Sequence, residues 1–265
     1  MTQTVDPSTT PTRFVGRTVV VTGAGTGFGA AIAARAAAEG ANVGVHYNSS
    51  KAGADATAER VRAYGREAIT VQADISTWDG VRSLVEQTFS HFGTVDVLVN
   101  NVGDVASEQM SWRDLDQEAL DRVIDVDVKG TLLCTHEFGS RMLDQGRGAI
   151  INIGSTVVVR GSARAPQYAA SKYAILGLTK SYAAAFAPTV RVNVFAPGFM
   201  ETEMTRSRAD WQSGRREKLL GMTPMNHIPA PEEVAGAALF YATDDAAHIT
   251  GGLMIADGGY NMVGA

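Results

Sequence analysis

Short, uninterrupted apolar runs separated by stretches of helical length constrain the fold of this chain more than any other feature. The seven runs span residues 17–22, 41–47, 67–74, 94–100, 147–155, 190–198 and 253–257. Their hydrophobicity is continuous rather than alternating, so both faces of each strand are expected to be covered. Repeated βα units of this kind predict an α/β fold, a Rossmann-type doubly wound parallel sheet of about seven strands with helices on both faces.

Composition and charge narrow the classes of protein. The 265 residues show no compositional break or internal repeat, which predicts one domain over residues 13–265. A net charge of -5 with both signs interspersed argues against a nucleic-acid partner. No apolar run approaches the roughly 18 residues that span a bilayer, so no membrane association is expected. Residues 1–12 are polar without a basic start, which favours a disordered tail over a signal peptide.

The cysteine and histidine pattern bears on compartment and metal chemistry. A single cysteine, Cys134, excludes an intramolecular disulfide framework, and with the absent signal peptide it favours a cytoplasmic location. Cys134 lies among apolar residues and is expected to be a core residue rather than a nucleophile. The five histidines lack metal-ligand spacing, so no metal site is expected.

A glycine-rich turn joins the first predicted strand to a helix-like stretch. The glycines of this turn allow a tight bend and a close approach of backbone to a pyrophosphate, while the helix N-terminus supplies N–H donors. This context predicts nucleotide binding, which an isolated GxG pattern would not. The turn residues assigned to the cofactor are Gly23, Thr26, Gly27, Phe28 and Gly29.

The end of the second strand bears on the choice between NAD and NADP. NAD enzymes usually place a carboxylate there to hold the ribose 2′-OH, whereas this chain has Tyr47. Asn48, Ser49, Ser50 and Lys51 follow, and the serines and lysine could donate to a 2′-phosphate. NADP(H) is therefore favoured over NAD(H). An ordinary loop and helix cap is the alternative interpretation, and the absence of a basic residue at Thr26 weakens the NADP interpretation.

Candidate catalytic residues lie at and beyond the end of the fifth run. Ser155 is the last residue of that run, and Tyr168 and Lys172 lie four residues apart on a predicted helix, which places them on one face. A free tyrosine titrates near 10, and a nearby ammonium is expected to lower that pKa so that the hydroxyl acts as general acid or base. Ser155 would donate a hydrogen bond to a substrate oxygen. A surface pair is the alternative for a Tyr–Lys spacing taken alone.

Together these residues resemble the short-chain dehydrogenase/reductase family, over nearly the whole chain after the tail. The matching motifs are TGAGTGFG at 22–29, Ala73-Asp74-Ile75, Asn100-Asn101-Val102-Gly103, Ser155, YAASK at 168–172, Pro197-Gly198-Phe199-Met200-Glu201-Thr202 and Asp257-Gly258-Gly259. The resemblance implies a single Rossmann-type domain, usually tetrameric, that transfers hydride between NAD(P)H and a carbonyl. It implies a likeness to the 3-oxoacyl carrier-protein reductases in particular.

The resemblance also implies roles for individual residues. Asp74 and Ile75 would contact the adenine, and Asn101, Val102 and Gly103 would lie along the adenine-side ribose and central sheet. Lys172 would also hold the nicotinamide ribose. The loop that would cover the nicotinamide amide and pyrophosphate contributes Pro197, Gly198, Met200 and Thr202.

Two positions depart from the family pattern. Val102 stands where alanine is usual, which adds two methyl groups beside the cofactor. Asp127 stands where the family usually has an asparagine that holds a water near the active-site lysine. Its charge would favour the ammonium of Lys172 and offset the effect of that lysine on Tyr168, which predicts an altered pH profile. A tolerated near-isostere without functional consequence is the alternative.

The expected function is interconversion of a ketone and a secondary alcohol by an NAD(P)(H)-dependent oxidoreductase, with 3-oxoacyl thioester reduction as the narrower expectation. Residues 181–189 lack the basic side chains that would grip an acidic carrier protein, so a sugar or other small alcohol stays open. A non-catalytic dinucleotide-binding sensor is the alternative from another class. A basic run over 206–218 is expected to be a solvated helix face, with an anionic substrate as the sharper alternative. Five further side chains suggest a partly apolar pocket, namely Met200, Met204, Trp211, Met222 and Met225.

Overall fold

The strands lie in one parallel sheet, as the sequence predicts. The computed structural model describes residues 12–262, so the expected tail lies outside the described residues except for Thr12. The strands are β1 Thr18–Val21, β2 Asn42–Tyr47, β3 Ala68–Gln72, β4 Val97–Asn100, β5 Gly148–Ile153, β6 Val190–Pro197 and β7 Leu253–Ala256. Their order across the sheet is β3-β2-β1-β4-β5-β6-β7, and every pair is parallel.

Helices connect the strands and cover both faces of the sheet. They are α1 Gly27–Ala38, α2 Lys51–Ala63, α3 Trp78–Phe92, α4 Val105–Gln109, α5 Gln117–Val123, α6 Gly130–Asp144, α7 Val157–Arg160, α8 Pro166–Phe186, α9 Glu203–Ser207, α10 Arg216–Met222 and α11 Pro231–Phe240. A π-helical turn over Ile124–Lys129 joins α5 to α6, and a second over Trp211–Arg215 precedes α10. Short 3₁₀ turns lie at Trp112–Asp114 and Asp244–Ala246. The fold class predicted from the sequence is confirmed.

Alternate residues of the central strands belong to two different cores. Val19 and Val21 of β1 face a core that includes residues of α1, α2 and α11. Val20, between them, faces a core that includes residues of α3, α6 and α8, where the predicted core residue Cys134 is also buried. Side chains one residue apart in a strand point to opposite faces, so a continuous apolar run fills both layers at once.

The edge strand β7 departs from this rule. Leu253 and Ile255, two residues apart and so on one face of this edge strand, are 40% and 41% exposed. The expectation that both faces of every strand are covered is therefore wrong for β7.

The strand order fixes where a ligand can bind. Strand β1 pairs with β2 on one side and with β4 on the other, so the chain reverses its direction of winding between β1 and β4. In open parallel sheets this reversal opens a crevice beyond the carboxyl ends of the strands. Among residues 12–262 no helix is long and apolar enough to cross a membrane.

Candidate active site

A cavity of about 800 Å³ lies at the carboxyl ends of the strands. Of the sequence-predicted site residues, those that line it are Gly23, Thr26, Gly27, Phe28, Tyr47, Asn48, Ser49, Ser50, Asp74, Ile75, Asn101, Val102, Gly103, Ser155, Tyr168, Lys172, Pro197, Gly198, Met200 and Thr202. Gly29 and Asp127 lie behind the cavity wall rather than in it. The structure thus brings together residues from one end of the chain to the other.

The turn between β1 and α1 forms one wall of the cavity. Gly27 has a φ of +56°, and a Cβ there would meet only the Thr202 side chain, at 3.9 Å, among the described residues. The residue leaves open space where a ligand can approach the backbone. The N-cap residue of α1, Thr26, makes no side-chain capping hydrogen bond within the described chain, and the first turn holds no acidic residue. The helix N-terminus is therefore suited to an anionic group.

Gly29 has a packing role. A Cβ at this position would lie 2.4 Å from the Gly23 carbonyl oxygen and 2.5 Å from the Asn101 side-chain nitrogen. That nitrogen donates to the carbonyl oxygens of Thr22 and Gly23 at 3.0 and 3.2 Å. Gly29 therefore packs closely against the turn and sets its shape, and Asn101 braces the turn from β4. Contact of Gly29 with the cofactor stays a prediction.

His46 is a site residue that the sequence analysis did not find. Its Nδ1 accepts a hydrogen bond from the Gly23 N–H at 3.1 Å, and its Nε2 lies 3.0 Å from the Ala73 carbonyl oxygen. These partners require a neutral ring protonated on Nε2. Burial lowers the pKa of His46 to about 4, against smaller opposing effects of the Ala73 carbonyl and the Asp74 charge. The only sequence signal was its place at the end of β2, next to Tyr47.

Polar side chains after β2 and β3 form the far end of the cavity. Asn48, Ser49 and Ser50 are exposed and line it. Lys51 does not line it, because its ammonium group pairs with Asp55 at 2.6 Å one turn along α2. Asp74 is exposed and accepts hydrogen bonds from the backbone and hydroxyl of Ser76. The two serines and Asn48, rather than Lys51, face this end.

The predicted catalytic side chains converge on the opposite wall. Tyr168 and Lys172 lie one turn apart on α8, which begins with Pro166 in the N-terminal position that suits proline. Both are buried, 8% and 4% exposed, and the Lys172 ammonium lies 5.5 Å from the Tyr168 ring centre. Ser155, just after β5, forms a hydrogen bond with the Tyr168 hydroxyl.

Asp127 lies behind Lys172, in the π-helical turn between α5 and α6. It is fully buried, and its Oδ2 lies 3.3 Å from the Lys172 ammonium. The Ser171 hydroxyl donates to the same oxygen at 2.9 Å, and the Asp104 backbone N–H donates to Oδ1 at 2.6 Å. The carboxylate is thus held by three groups, which is the arrangement that a buried charge requires.

The electrostatics of Tyr168 differ from the sequence expectation. The pKa of Tyr168 is raised above its usual value, first by burial, then by the negative charges of Glu108 and Asp127, while the Ser155 hydrogen bond lowers it. Burial and these two carboxylates therefore outweigh the lowering expected from Lys172, whose ammonium pairs with the buried Asp127.

The remaining end of the cavity holds charged residues beside apolar ones. Glu108 from α4 lines it together with Met204, Arg208, Trp211 and Arg215. Burial raises the pKa of Glu108, against the opposing charges of Arg208 and then Arg215.

The basic run divides into two groups, which the sequence analysis did not anticipate. Arg208 and Arg215 line the cavity and both bind Asp210, at 2.9 and 2.8 Å. Arg206 and Arg216 instead pair with Glu201, at 3.6 and 2.5 Å. A solvated helix face is therefore wrong for Arg208 and Arg215, because both line the cavity, and the chain between them bends at Gly214, which has a φ of +104°.

The sequence predicted five side chains in a partly apolar pocket, and three of them line the cavity. Met200, Met204 and Trp211 line the cavity, whereas Met222 and Met225 do not and are 41% and 73% exposed.

Known proteins share this architecture and sequence. A family model described as Enoyl-(Acyl carrier protein) reductase matches residues 23–261. The 3-oxoacyl-[acyl-carrier-protein] reductase FabG of Staphylococcus epidermidis is 36% identical over 249 residues, which cover 94% of this chain and all of that protein. The cis-4-hydroxycyclohexanecarboxylate dehydrogenase of Sinomonas cyclohexanicum is 36% identical over 251 residues, 94% of this chain and 98% of that protein.

A solved structure gives the same result in three dimensions. A short-chain dehydrogenase from Burkholderia cenocepacia in complex with NADP superposes with a TM-score of 0.85 at 32% identity, covering 94% of this chain and 99% of that one. A doubly wound sheet with a glycine turn at the strand reversal and a serine, tyrosine and lysine at one cavity defines a nicotinamide-dependent oxidoreductase. The chain belongs to the short-chain dehydrogenase/reductase family, and it interconverts a ketone and a secondary alcohol with NAD(P)(H).

Proposed function

We propose that Tyr168 is the general acid and base of this reaction, with Ser155 and Lys172 as its partners and NADP(H) as the favoured cofactor. The observation that carries the proposal is the convergence of these three side chains on one wall of the cavity, opposite the glycine turn. Residues 13–265 are proposed to form one catalytic domain.

In reduction, the Ser155 hydroxyl donates a hydrogen bond to the substrate carbonyl oxygen and so fixes the carbonyl carbon toward the cofactor. Bound NADPH supplies the hydride that this carbon accepts. Tyr168 gives its proton to the oxygen, which becomes the alcohol, and the phenolate left behind is stabilised by the Lys172 ammonium. In oxidation the same tyrosine takes the proton from the alcohol. Asp127 holds Lys172 in place for both directions.

Different residues are proposed to hold the different parts of the cofactor. The backbone of residues 23–28 and Thr202 would hold the pyrophosphate, and Asp74, Ile75 and Asn101–Gly103 the adenine side. Two observations support NADP: Ser49 and Ser50 line the end of the cavity where a 2′-phosphate would lie, and the Burkholderia relative has NADP bound. Lys51 supports it less than the sequence suggested, because it pairs with Asp55.

The names of the relatives offer two substrate classes. The staphylococcal relative is named for 3-oxoacyl thioester reduction, and the Sinomonas relative for a hydroxylated cyclohexane carboxylate. A sugar or other small alcohol belongs to the second class. The exposed face of β7, together with the tetrameric assembly that is usual in the family, supports a homotetramer. The free, buried Cys134 supports a cytoplasmic location.

The test follows absorbance of the reduced nicotinamide with NADPH and with NADH, against a 3-oxoacyl thioester and a panel of ketones. We expect turnover, faster with NADPH, that falls at least about 1,000-fold in Tyr168→Phe. Tyr173→Phe is the matched control, since Tyr173 is exposed on the same helix and does not line the cavity. Unchanged turnover in Tyr168→Phe would contradict the assignment, and tight cofactor binding without turnover on any substrate would favour a sensor.

A further inference from the structure

Glu108 has no role in the chemistry described above, yet its carboxylate faces the reacting end of the cavity. It lines the cavity with Tyr168 and Ser155, and its charge is close enough to raise the pKa of Tyr168. Among residues 12–262, no group donates a hydrogen bond to this carboxylate or forms an ion pair with it. This carboxylate lines the cavity, so a ligand bound there can donate hydrogen bonds to it.

The position of Glu108 is fixed relative to the tyrosine. Gln167, which precedes Tyr168, donates a hydrogen bond from Nε2 to the carbonyl oxygen of Ser107, which precedes Glu108, at 3.0 Å in the buried interior. The Asp104 side chain caps α4 through the Ala106 N–H at 3.1 Å, and its backbone N–H donates to Asp127. Helix α4 is therefore tied to α8 and to the buried Asp127, so the carboxylate is held in place beforehand rather than on a loose loop.

The surrounding charges select the chemistry of the group that Glu108 can accept. Arg208 and Arg215 are close enough to affect its pKa, but both bind Asp210, so the four groups carry no net charge together. Lys172 is likewise paired with Asp127. Arg164 is a fourth cation close enough to lower the pKa of Glu108, so an ammonium group beside this carboxylate would face four cations, and a carboxylate would face Glu108 itself. A hydroxyl group is a neutral donor, so it meets neither repulsion and can donate a hydrogen bond to the Glu108 carboxylate.

We propose that Glu108 is a specificity-determining residue, which accepts a hydrogen bond from a second hydroxyl group of the substrate, close to the carbon that reacts at Tyr168. The inference rests on the proposed function and narrows it: the preferred substrates are neutral hydroxyketones and diols, rather than simple ketones or acyl thioesters without such a hydroxyl. A site built to bind a hydroxyl discriminates against the analogue that lacks it, because the buried acceptor is then left unpaired.

The first experiment compares kcat/KM for 2-hydroxycyclohexanone and cyclohexanone in the wild type, Glu108→Gln and Glu108→Ala. We expect the ratio of the two values to fall by about 10- to 100-fold in Glu108→Ala and by less in Glu108→Gln, which keeps a neutral acceptor. Affinity for NADPH should change less than about twofold. Glu118→Gln is the matched control, because it removes the same charge from a side chain that is 91% exposed on the neighbouring helix α5. An equal ratio in the wild type and Glu108→Ala would overturn the proposal.

The second experiment needs no turnover. Calorimetry of cyclohexane-1,2-diol and cyclohexanol binding to the enzyme with NADPH, which cannot oxidise an alcohol, should show at least about tenfold tighter binding of the diol, lost in Glu108→Ala. Equal affinities would contradict the role of Glu108, whereas turnover that depends on Tyr168 would still support the proposed function. Selective diol binding with no turnover on any ketone would support the role of Glu108 and contradict the proposed function.

Discussion

The two halves of the cavity are shaped by different kinds of interaction. The cofactor half, which comprises residues 22–29, 46–50, 74–75 and 101–103, is shaped by backbone, with glycine packing and a histidine bound on both ring nitrogens. The substrate half, which comprises α4 and residues 199–222, is shaped by side-chain charges such as Arg208 and Arg215 on Asp210. Backbone packing tolerates almost no change, whereas exposed ion pairs contribute little stability and leave room for variation.

The largest effect is expected in the cofactor half, at Gly29. A methyl group there would lie 2.4 Å from the Gly23 carbonyl oxygen, so Gly29→Ala should displace the turn. We expect NADPH affinity to fall at least about tenfold and the free energy of unfolding by roughly 1–3 kcal/mol. Fluorescence titration and urea denaturation measure the two changes. Gly177→Ala is the control, since no atom of the described residues lies within 4 Å of its added methyl group, and retention of affinity in Gly29→Ala would contradict the packing argument.

A pH effect of intermediate size is expected at His46. Its pKa of about 4 in the folded protein lies below the ordinary 6.5, so the unfolded chain takes up the proton first as the pH falls. The stability linked to this group is thus present above pH 6.5 and lost progressively down to pH 4, in total about 3 kcal/mol, of which roughly 2 kcal/mol is lost by pH 5.

Urea denaturation of the wild type and His46→Asn at pH 7 and pH 5 checks this, because the variant lacks the titrating ring. We expect the wild type to lose more stability than the variant over this interval. Parallel losses in the two proteins would mean that the ring is not held neutral by Gly23 and Ala73.

At the boundary between the halves, Asp127→Asn should change the pH dependence of oxidation. The charge of Asp127 raises the pKa of Tyr168, which must be deprotonated to act as the base, so removing that charge should move the acidic limb, on which kcat rises with pH, to lower pH. We expect the maximal rate to change less than about tenfold, since the amide oxygen can still accept from the Asp104 N–H and the amide nitrogen can donate to the Ser171 hydroxyl, which can rotate to accept. Ser171→Ala, which keeps the charge, should move the limb less. An unmoved limb in Asp127→Asn would leave Asp127 as a near-isostere of asparagine without consequence.

The smallest stability effect is expected in the substrate half. Asp210→Ala removes the partner of two arginines, but because the carboxylate is 39% exposed the unfolding free energy should change by less than about 1 kcal/mol. NADPH affinity should stay the same. The freed guanidinium groups face the cavity, so kcat/KM for a ketone that carries a carboxylate should rise about fivefold or more relative to a neutral ketone. Arg206→Ala, outside the cavity, should leave this ratio unchanged.

The sequence predicted the lining of the cofactor half, and of the wall with Ser155, Tyr168 and Lys172, better than that of the substrate half for a physical reason. A glycine turn, strand ends and a Tyr–Lys spacing on one helix are local patterns, so the order of residues alone could place these side chains at the cavity. The arginines whose charges affect Glu108 lie about a hundred residues away along the chain, and no local pattern predicts that Arg208 and Arg215 line the cavity. His46 was missed because its function depends on two backbone groups from other segments.

The hydrogen bond from Gln167 to Ser107 has a consequence for how such an enzyme can diverge. It couples the proton donor and the proposed hydroxyl acceptor into one mechanical unit, so a substitution that shifts α4 also disturbs the geometry of Tyr168. Mutations in α4 that change the preferred substrate must therefore also preserve the position of Tyr168. Within the described part of the chain, residues 199–222 carry no such bond to α8, which makes that segment the place where insertions and exchanges can alter the substrate while the chemistry is inherited intact.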